Sequence, residues 1–185
     1  MNGSKTLLNR MVRAVRLDGS LYAEVRADTT ATAQALTVVA IVALSHGLGG
    51  AIRGAHFGWN PASGSLFGVL GEVSFFVVAS FVVYVVARYV LGSTVDYPQV
   101  MRPLGFSVLP GLLILVAALV SMSWVGAQVP VLMVLIVWRL AAGLVAVRQA
   151  SGLSLARSAL ALLFGVAAGM VAVVISTRAL AEMLN

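Results

Sequence analysis

The sequence predicts an all-α fold: a polytopic membrane bundle of five transmembrane helices preceded by an amphipathic N-terminal helix. Three observations carry this expectation. Over 185 residues the chain is 61% hydrophobic and only 10% charged, with a mean hydropathy of +1.03, far from the usual composition of soluble domains. Five stretches, at 31–52, 66–87, 104–123, 129–147 and 158–178, supply the ~20 apolar residues that a helix needs to cross a hydrocarbon core. Strands with open edges would leave unpaired backbone groups facing lipid, so these stretches are expected to be helical. The chain then divides into a cytoplasmic amphipathic segment, 1–28, and a five-helix membrane domain, 29–185.

The opening MNGSKTLLNRMVRAVRLDGS is basic but has neither a long apolar run nor a cleavage site, which argues against a cleavable signal peptide. Within residues 5–17, Leu8, Met11, Val12 and Val15 share one helical face, and Arg10, Arg13 and Arg16 the other. This pattern predicts a helix lying on the inner leaflet, where each arginine gains about 1 kcal/mol from anionic lipid. A docking helix for a cytoplasmic partner is the alternative.

The first span ends in a GxxxGxxxG series, Gly50, Gly54 and Gly58, whose spacing lets helices approach closely. In the following GWNPASG, Asn60 as N-cap and Pro61 at the first helical position predict the start of the second helix. Asn-Pro-Ala is also an aquaporin tripeptide, but it occurs once here and five spans do not make that fold. LGSTVDYPQVMRPLG, with Pro98 and Pro103, is expected to be a short turn-rich connection before the third span. The fifth span contains a second small pair, Gly165 and Gly169. Tyr22 and Tyr89 fall near the inner boundary and Trp59 and Trp124 near the outer one, as expected for interfacial anchors.

The basic residues orient the bundle. With the N-terminus inside, the inner side holds Lys5, Arg10, Arg13, Arg16, Arg26, Arg88, Arg102, Arg148 and Arg157, while the outer side holds Arg53 and Arg178. By the positive-inside rule the N-terminus is cytoplasmic and the C-terminus extracytoplasmic. The net charge of +6 forms no dense patch with interleaved aromatics, which argues against a nucleic-acid partner. The chain has no Cys, so disulfides, thiolate metal sites and cysteine nucleophiles are excluded.

The order of elements resembles the Yip1 family of five-span membrane proteins. The resemblance runs through LLNRMVRAVRLDGSLYAEVRAD, a second span ending in YVVARYVLGS, the stretch VMRPLGFSVLP, a Trp-containing span and RQASGLSLARSAL, over about residues 10–178. Its most specific part is Arg102, Pro103, Gly105, Phe106 and Pro110, similar to the family's arginine, glycine-aromatic and proline pattern. The resemblance implies an inward N-terminus, in agreement with the charge count. Eukaryotic members are associated with vesicle traffic and Rab-type GTPases, but their Asp-Leu-Tyr-Gly-Pro motif is absent and DYPQV stands in its place. The chain looks like the short prokaryotic members, which implies a multi-pass protein of a prokaryotic plasma membrane.

No HExxH, GxSxG elbow, Walker-type glycine loop or paired carboxylates within a span is present, so the expectation is a non-enzymatic protein without cofactor or metal. One residue stands out: Arg139, within the apolar run VLMVLIVWRLAAGLVAV. An arginine at mid-bilayer costs about 2.5–3.5 kcal/mol on insertion scales, which calls for a partner. Glu72 is the acidic residue well inside a span, and spans two and four run in the same direction. At about 1.5 Å per residue, Glu72 lies roughly 7 Å outward of its span's middle, within reach of a long guanidinium near the middle of span four. His46 lies at a similar depth in span one, and small residues flank all three. The prediction is a buried cluster of His46, Glu72 and Arg139. Read structurally, it fixes the register of spans one, two and four. Read functionally, it is a relay or binding site for a proton, ion or lipid headgroup, to which a histidine lends pH sensitivity. The corresponding functions are an organising or adaptor component with a basic cytoplasmic face, or a small transporter, channel or lipid scramblase. The expected partners are the bilayer with its anionic inner lipids, and a membrane-protein partner or second copy.

Overall fold

A computed structural model describes residues 6–184. Among them there is no strand. The order is α1 (Leu7–Val15), α2 (Gly19–Ala27), α3 (Ala31–Phe57), α4 (Pro61–Val85), α5 (Tyr97–Ser107), α6 (Leu113–Ser121), α7 (Gln128–Ser151) and α8 (Leu155–Leu184). A π-helical turn, Val86–Val90, extends α4, and a 3-10 turn, Leu109–Leu112, joins α5 to α6. Five helical stretches are therefore long and apolar enough to cross a membrane: Ala31–Phe57, Pro61–Val90, Tyr97–Ser121, Gln128–Ser151 and Leu155–Leu184.

The helix boundaries follow from local chemistry. Asn60 accepts a hydrogen bond from the Ala62 N–H at 2.9 Å, and Pro61 occupies the first turn, where a missing N–H costs nothing. Gly58 closes α3 and Gly152 closes α7 with positive φ, of 78° and 68°. The third span begins earlier than its apolar run. Pro98 is tolerated in the first turn of α5, and the Gln99 side chain accepts from the Asp96 N–H at 3.2 Å. The stretch expected as a loop is thus helical from Tyr97, and Arg102, counted above as a loop charge, is buried within α5.

α5 is the centre of the bundle. Met101 to Pro110 are all buried, and α5 packs against α2, α3, α4 and α7. α3 packs along α4, and α4 along α8. The α3–α4 contact is closed by glycines: a Cβ on Gly68 would fall 2.3 Å from the His46 carbonyl oxygen, and one on Gly50 2.1 Å from that of Gly64. Gly165 and Gly169 do the same against Ala79 and Phe75 of α4. Around this core, Leu44, Leu48, Val77, Phe81, Val137, Leu163, Phe164, Val171 and Ile175 point outward, an apolar belt that only lipid makes favourable.

The N-terminal segment departs from expectation. α1 and α2 form a hairpin that docks on α5 and α7. The Trp138 indole donates to the Val15 carbonyl at 3.2 Å, which places the end of α1 beside the middle of α7. Leu8, Val12 and Val15 face outward as an amphipathic helix in lipid requires, but Arg10 points inward and is 0% exposed. It bonds Glu24 at 2.8 Å, Asp28 at 2.5 Å and Gln34 at 2.8 Å. Arg13 bonds Asp18 at 2.7 Å and Glu24 at 2.6 Å. Carboxylates of the neighbouring helix satisfy both, so Arg10 is not available to the inner leaflet as expected and Arg13 is only partly so; Arg16 alone of the three is exposed. Tyr22, expected as a boundary anchor, is also fully buried, with its hydroxyl donating to the Ala14 carbonyl at 3.3 Å. Trp59, Trp124 and Tyr89 are exposed. Lys5 lies outside the described residues.

Candidate functional site: an intramembrane charge cluster beside a cavity

His46 of α3, Glu72 of α4 and Arg139 of α7 meet. Each sits eleven residues from the end of its helix at the α3–α4 turn side, counting from Phe57, Pro61 and Gln128, a common depth of about 16 Å. Arg139 forks onto Glu72: Nη1 donates to Oε2 at 3.0 Å, and Nη2 donates to Oε1. Nδ1 of His46 lies 2.9 Å from the same Oε2. The Glu72 side chain is 4% exposed, those of His46 and Arg139 16% and 18%. Two parallel bonds fix the guanidinium in plane with the carboxylate, and the charges cancel inside the bundle.

The surroundings complete the cluster. The Arg139 guanidinium lies 5.1 Å from the centre of the Phe75 ring, over its face. Gly111, in the 3-10 turn of the third span, lies against Arg139 and His46: a Cβ there would fall 3.2 Å from Arg139 Nη1 and 3.8 Å from His46 Cε1. A side chain at this position would crowd the guanidinium.

A cavity of about 520 Å³ adjoins the cluster. Phe75 and Phe76 of α4, Leu135 and Leu140 of α7, and Val166 and Met170 of α8 form much of its wall, and His46, Glu72 and Arg139 line one side. Among the described residues α4 packs on α3, α5 and α8, and α7 on α2, α5, α6 and α8, without extensive contact between α4 and α7. The Glu72–Arg139 bond therefore bridges a gap that backbone packing leaves open.

The residues of the family-like pattern serve the centre of the fold. Arg102 donates from Nε to Thr32 Oγ1 at 2.8 Å and from Nη1 to the Arg26 carbonyl at 2.9 Å, tying α5 to the start of α3 and the end of α2. Pro103 and Phe106 are fully buried, a Cβ on Gly105 would meet that of Ala35 at 2.9 Å, and Pro110 sits in the turn that redirects the third span. Sequence reasoning missed Trp138, Tyr97, whose hydroxyl pairs with Ser80 at 3.1 Å, and the acidic partners of Arg10 and Arg13. The last had a signal: Asp18, Glu24 and Asp28 are half of the six acidic residues and directly follow the arginines.

Among the described residues no group of three or more His, Asp or Glu side chains is placed to hold a metal ion. Five apolar spans, a central third span and a neutral intramembrane ion pair define a polytopic helical membrane protein. The model of the Yip1 domain matches residues 19–176. The chain belongs to the Yip1 family. No curated protein and no solved structure matches it.

Proposed function

We propose that this protein is a non-enzymatic organising or adaptor component of a prokaryotic plasma membrane, N-terminus inside, presenting a basic cytoplasmic face. The α7–α8 turn carries this reading. Arg148 and Arg157 flank it, both exposed and both without a side-chain partner among the described residues. The turn itself is held: Ser93 donates to the Ser151 carbonyl at 2.8 Å and Arg26 to that of Gln149 at 3.5 Å. A fixed turn presenting two free guanidinium groups suits an acidic partner or anionic headgroups. Arg10, Arg13 and Arg102 have internal partners and do not contribute. Affinity capture in native-lipid nanodiscs tests the reading. A specific membrane partner bound by the wild type and lost from an Arg148→Gln, Arg157→Gln double variant supports it; partner recovery that is the same for both removes it.

A second reading, a small transporter, channel or scramblase, is favoured by one observation: the polar cluster borders a cavity. Purified protein in liposomes would then move protons or lipid at a rate changed by His46→Ala. Equal flux from wild-type and variant vesicles counts against it.

A further inference from the structure

The same cavity has a feature that neither the ion pair nor the organising role uses. Arg53 of α3 lines it, two turns beyond His46 toward the α3–α4 turn. Its side chain is half-buried and has no hydrogen-bond or ion-pair partner among the described residues. The arginines drawn further into the bundle are satisfied: Arg10 by Glu24, Asp28 and Gln34, Arg102 by Thr32 and a carbonyl, Arg139 by Glu72. A guanidinium has five N–H donors and no means of neutralising itself by deprotonation. An unpartnered guanidinium that lines an apolar space yet keeps its nitrogens accessible is placed to take an anion brought by something else.

The dimensions identify the carrier of that anion. Arg53 is four residues from the end of α3, about 6 Å along the axis. α3 has 27 residues, about 40 Å, against a hydrocarbon core of about 30 Å. Arg53 therefore lies near the boundary between acyl chains and headgroups. From there the cavity runs inward along α4 from Phe67 to Val83, about 24 Å, and its wall is apolar apart from the cluster and Ser80 and Ser107. One leaflet contributes about 15 Å of hydrocarbon, half of the core. The cluster adds no net charge to this wall, because Glu72 and Arg139 cancel each other. A cation at headgroup level above a long apolar slot, open where α4 and α7 part, fits a molecule with a phosphate at one end and a hydrocarbon chain at the other.

The geometry points to a binding site for one glycerophospholipid, with its phosphate on Arg53 and one acyl chain lying in the cavity between α4, α7 and α8. In the proposed orientation this lipid comes from the outer leaflet. The site does not depend on the organising role, and requires no transport.

Native mass spectrometry of the full chain in mild non-ionic detergent, titrated with dioleoyl phosphatidylglycerol, tests the assignment. The wild type should retain one lipid molecule more tightly than the rest. Arg53→Gln should weaken that first binding step about tenfold, the loss of a charge-assisted contact. Gly71→Leu should abolish it by filling the slot: Gly71 lines the cavity, and a Cβ there meets only Val173 Cγ1, at an ordinary 3.6 Å. Circular dichroism melting of both variants separates loss of the site from loss of the fold. If Gly71→Leu fails to fold, Ile136→Trp, which starts from a partly exposed side chain on the cavity wall, replaces it. Equal lipid retention by the wild type and the folded variants overturns the assignment. So does a first binding step that Arg53→Gln leaves unchanged, since the phosphate would then be held elsewhere. Inorganic phosphate alone should not compete at millimolar concentration; competition would show a site for the free anion and also overturn it. None of these readouts involves Arg148 or Arg157, so failure here leaves the organising role standing, and failure there leaves the lipid site.

Discussion

Removing one half of the Glu72–Arg139 pair leaves the other charge without its partner inside the bundle. Glu72→Gln and Arg139→Gln should each lower stability by about 3–5 kcal/mol, the cost of breaking a buried pair. The double variant, with two neutral amides or their equivalents left to hydrogen-bond across the same gap, should recover part of the loss, giving a coupling of about 1–3 kcal/mol. Thermal unfolding in detergent micelles measures it; a double variant as unstable as the sum of the singles would show that the two residues touch without depending on each other. The contact was legible in the sequence because helical rise is fixed: once two parallel spans are placed, depth follows from counting residues. The contact from the third span is different. Gly111 faces Arg139 and His46, and no count reveals this, because Pro110 and the 3-10 turn change the path of the third span.

The N-terminal hairpin shows what a hydrophobic stripe leaves undecided. The spacing of Leu8, Met11, Val12 and Val15 identifies the apolar face of α1, but an arginine face opposite lipid can meet either headgroups or carboxylates of the next helix. Here it meets carboxylates, and their ionisation holds the hairpin. Ser20 hydrogen bonds, and then the Arg13 guanidinium, lower Asp18 from 3.8 to about 2. Arg10, and then Thr30, hold Asp28 well below the usual range. Burial pushes Glu24 upward, but the hydrogen bonds from Arg13 and Arg10 outweigh it and the net shift is down. A carboxylate whose folded-state value is depressed contributes stability above its ordinary value, and that contribution disappears as pH falls through the folded-state value. The hairpin should therefore be secure at neutral pH and loosen between about pH 4 and pH 2. With Trp59 and Trp124 replaced by Phe, the emission of Trp138, which is bonded to Val15, reports that release; unchanged emission across this range would mean that the ion pairs do not hold the hairpin. At neutral pH Arg10→Ala should produce the same release, visible as faster amide exchange in α1. A comparable test separates the glycines of α3. Gly50→Ala would place its Cβ 2.1 Å from the backbone oxygen of Gly64 and should cost about 1–3 kcal/mol by forcing the helices apart. Gly49→Ala meets its nearest atom at an ordinary 3.5 Å and should be tolerated. Thermal unfolding of the two variants compares them directly. Small residues at helical spacing are visible in sequence, whereas which of two adjacent glycines lies in close contact with a neighbouring backbone is not.

At the scale of the molecule, the helix count was readable from hydropathy, since each span must satisfy its own backbone in lipid. The centre of the bundle was not. Arg102, Pro98 and Pro103 make the start of the third span read as a loop, but capping by the Asp96–Gln99 pair and internal partners for Arg102 turn the same residues into its most enclosed segment. This reassignment bears on orientation, because it removes Arg102 from the charges that face solvent, as internal pairing removes Arg10 and Arg13. The bias survives the subtraction. Arg26, Arg88, Arg148 and Arg157 lie in or beside the connections at the hairpin end, against Arg53 and Arg178 at the other. Since Arg53 faces the cavity, Arg178 is the one exposed arginine at that opposite end among the described residues. The positive-inside rule counts Lys and Arg near span ends and gives little weight to acids, so the pairing of Arg88 with Asp96 at 2.9 Å does not change the sign. The hairpin end should therefore face the cytoplasm. The absence of Cys makes this a clean measurement. Ser123, in the α6–α7 connection, and Ser154, in the α7–α8 turn, are both exposed and lie at opposite ends. In intact cells a membrane-impermeant maleimide should label a Ser123→Cys variant and leave Ser154→Cys unlabelled until the membrane is opened. The reverse pattern would invert the bundle and place Arg148 and Arg157 outside. Labelling of both in intact cells would indicate two orientations in one membrane.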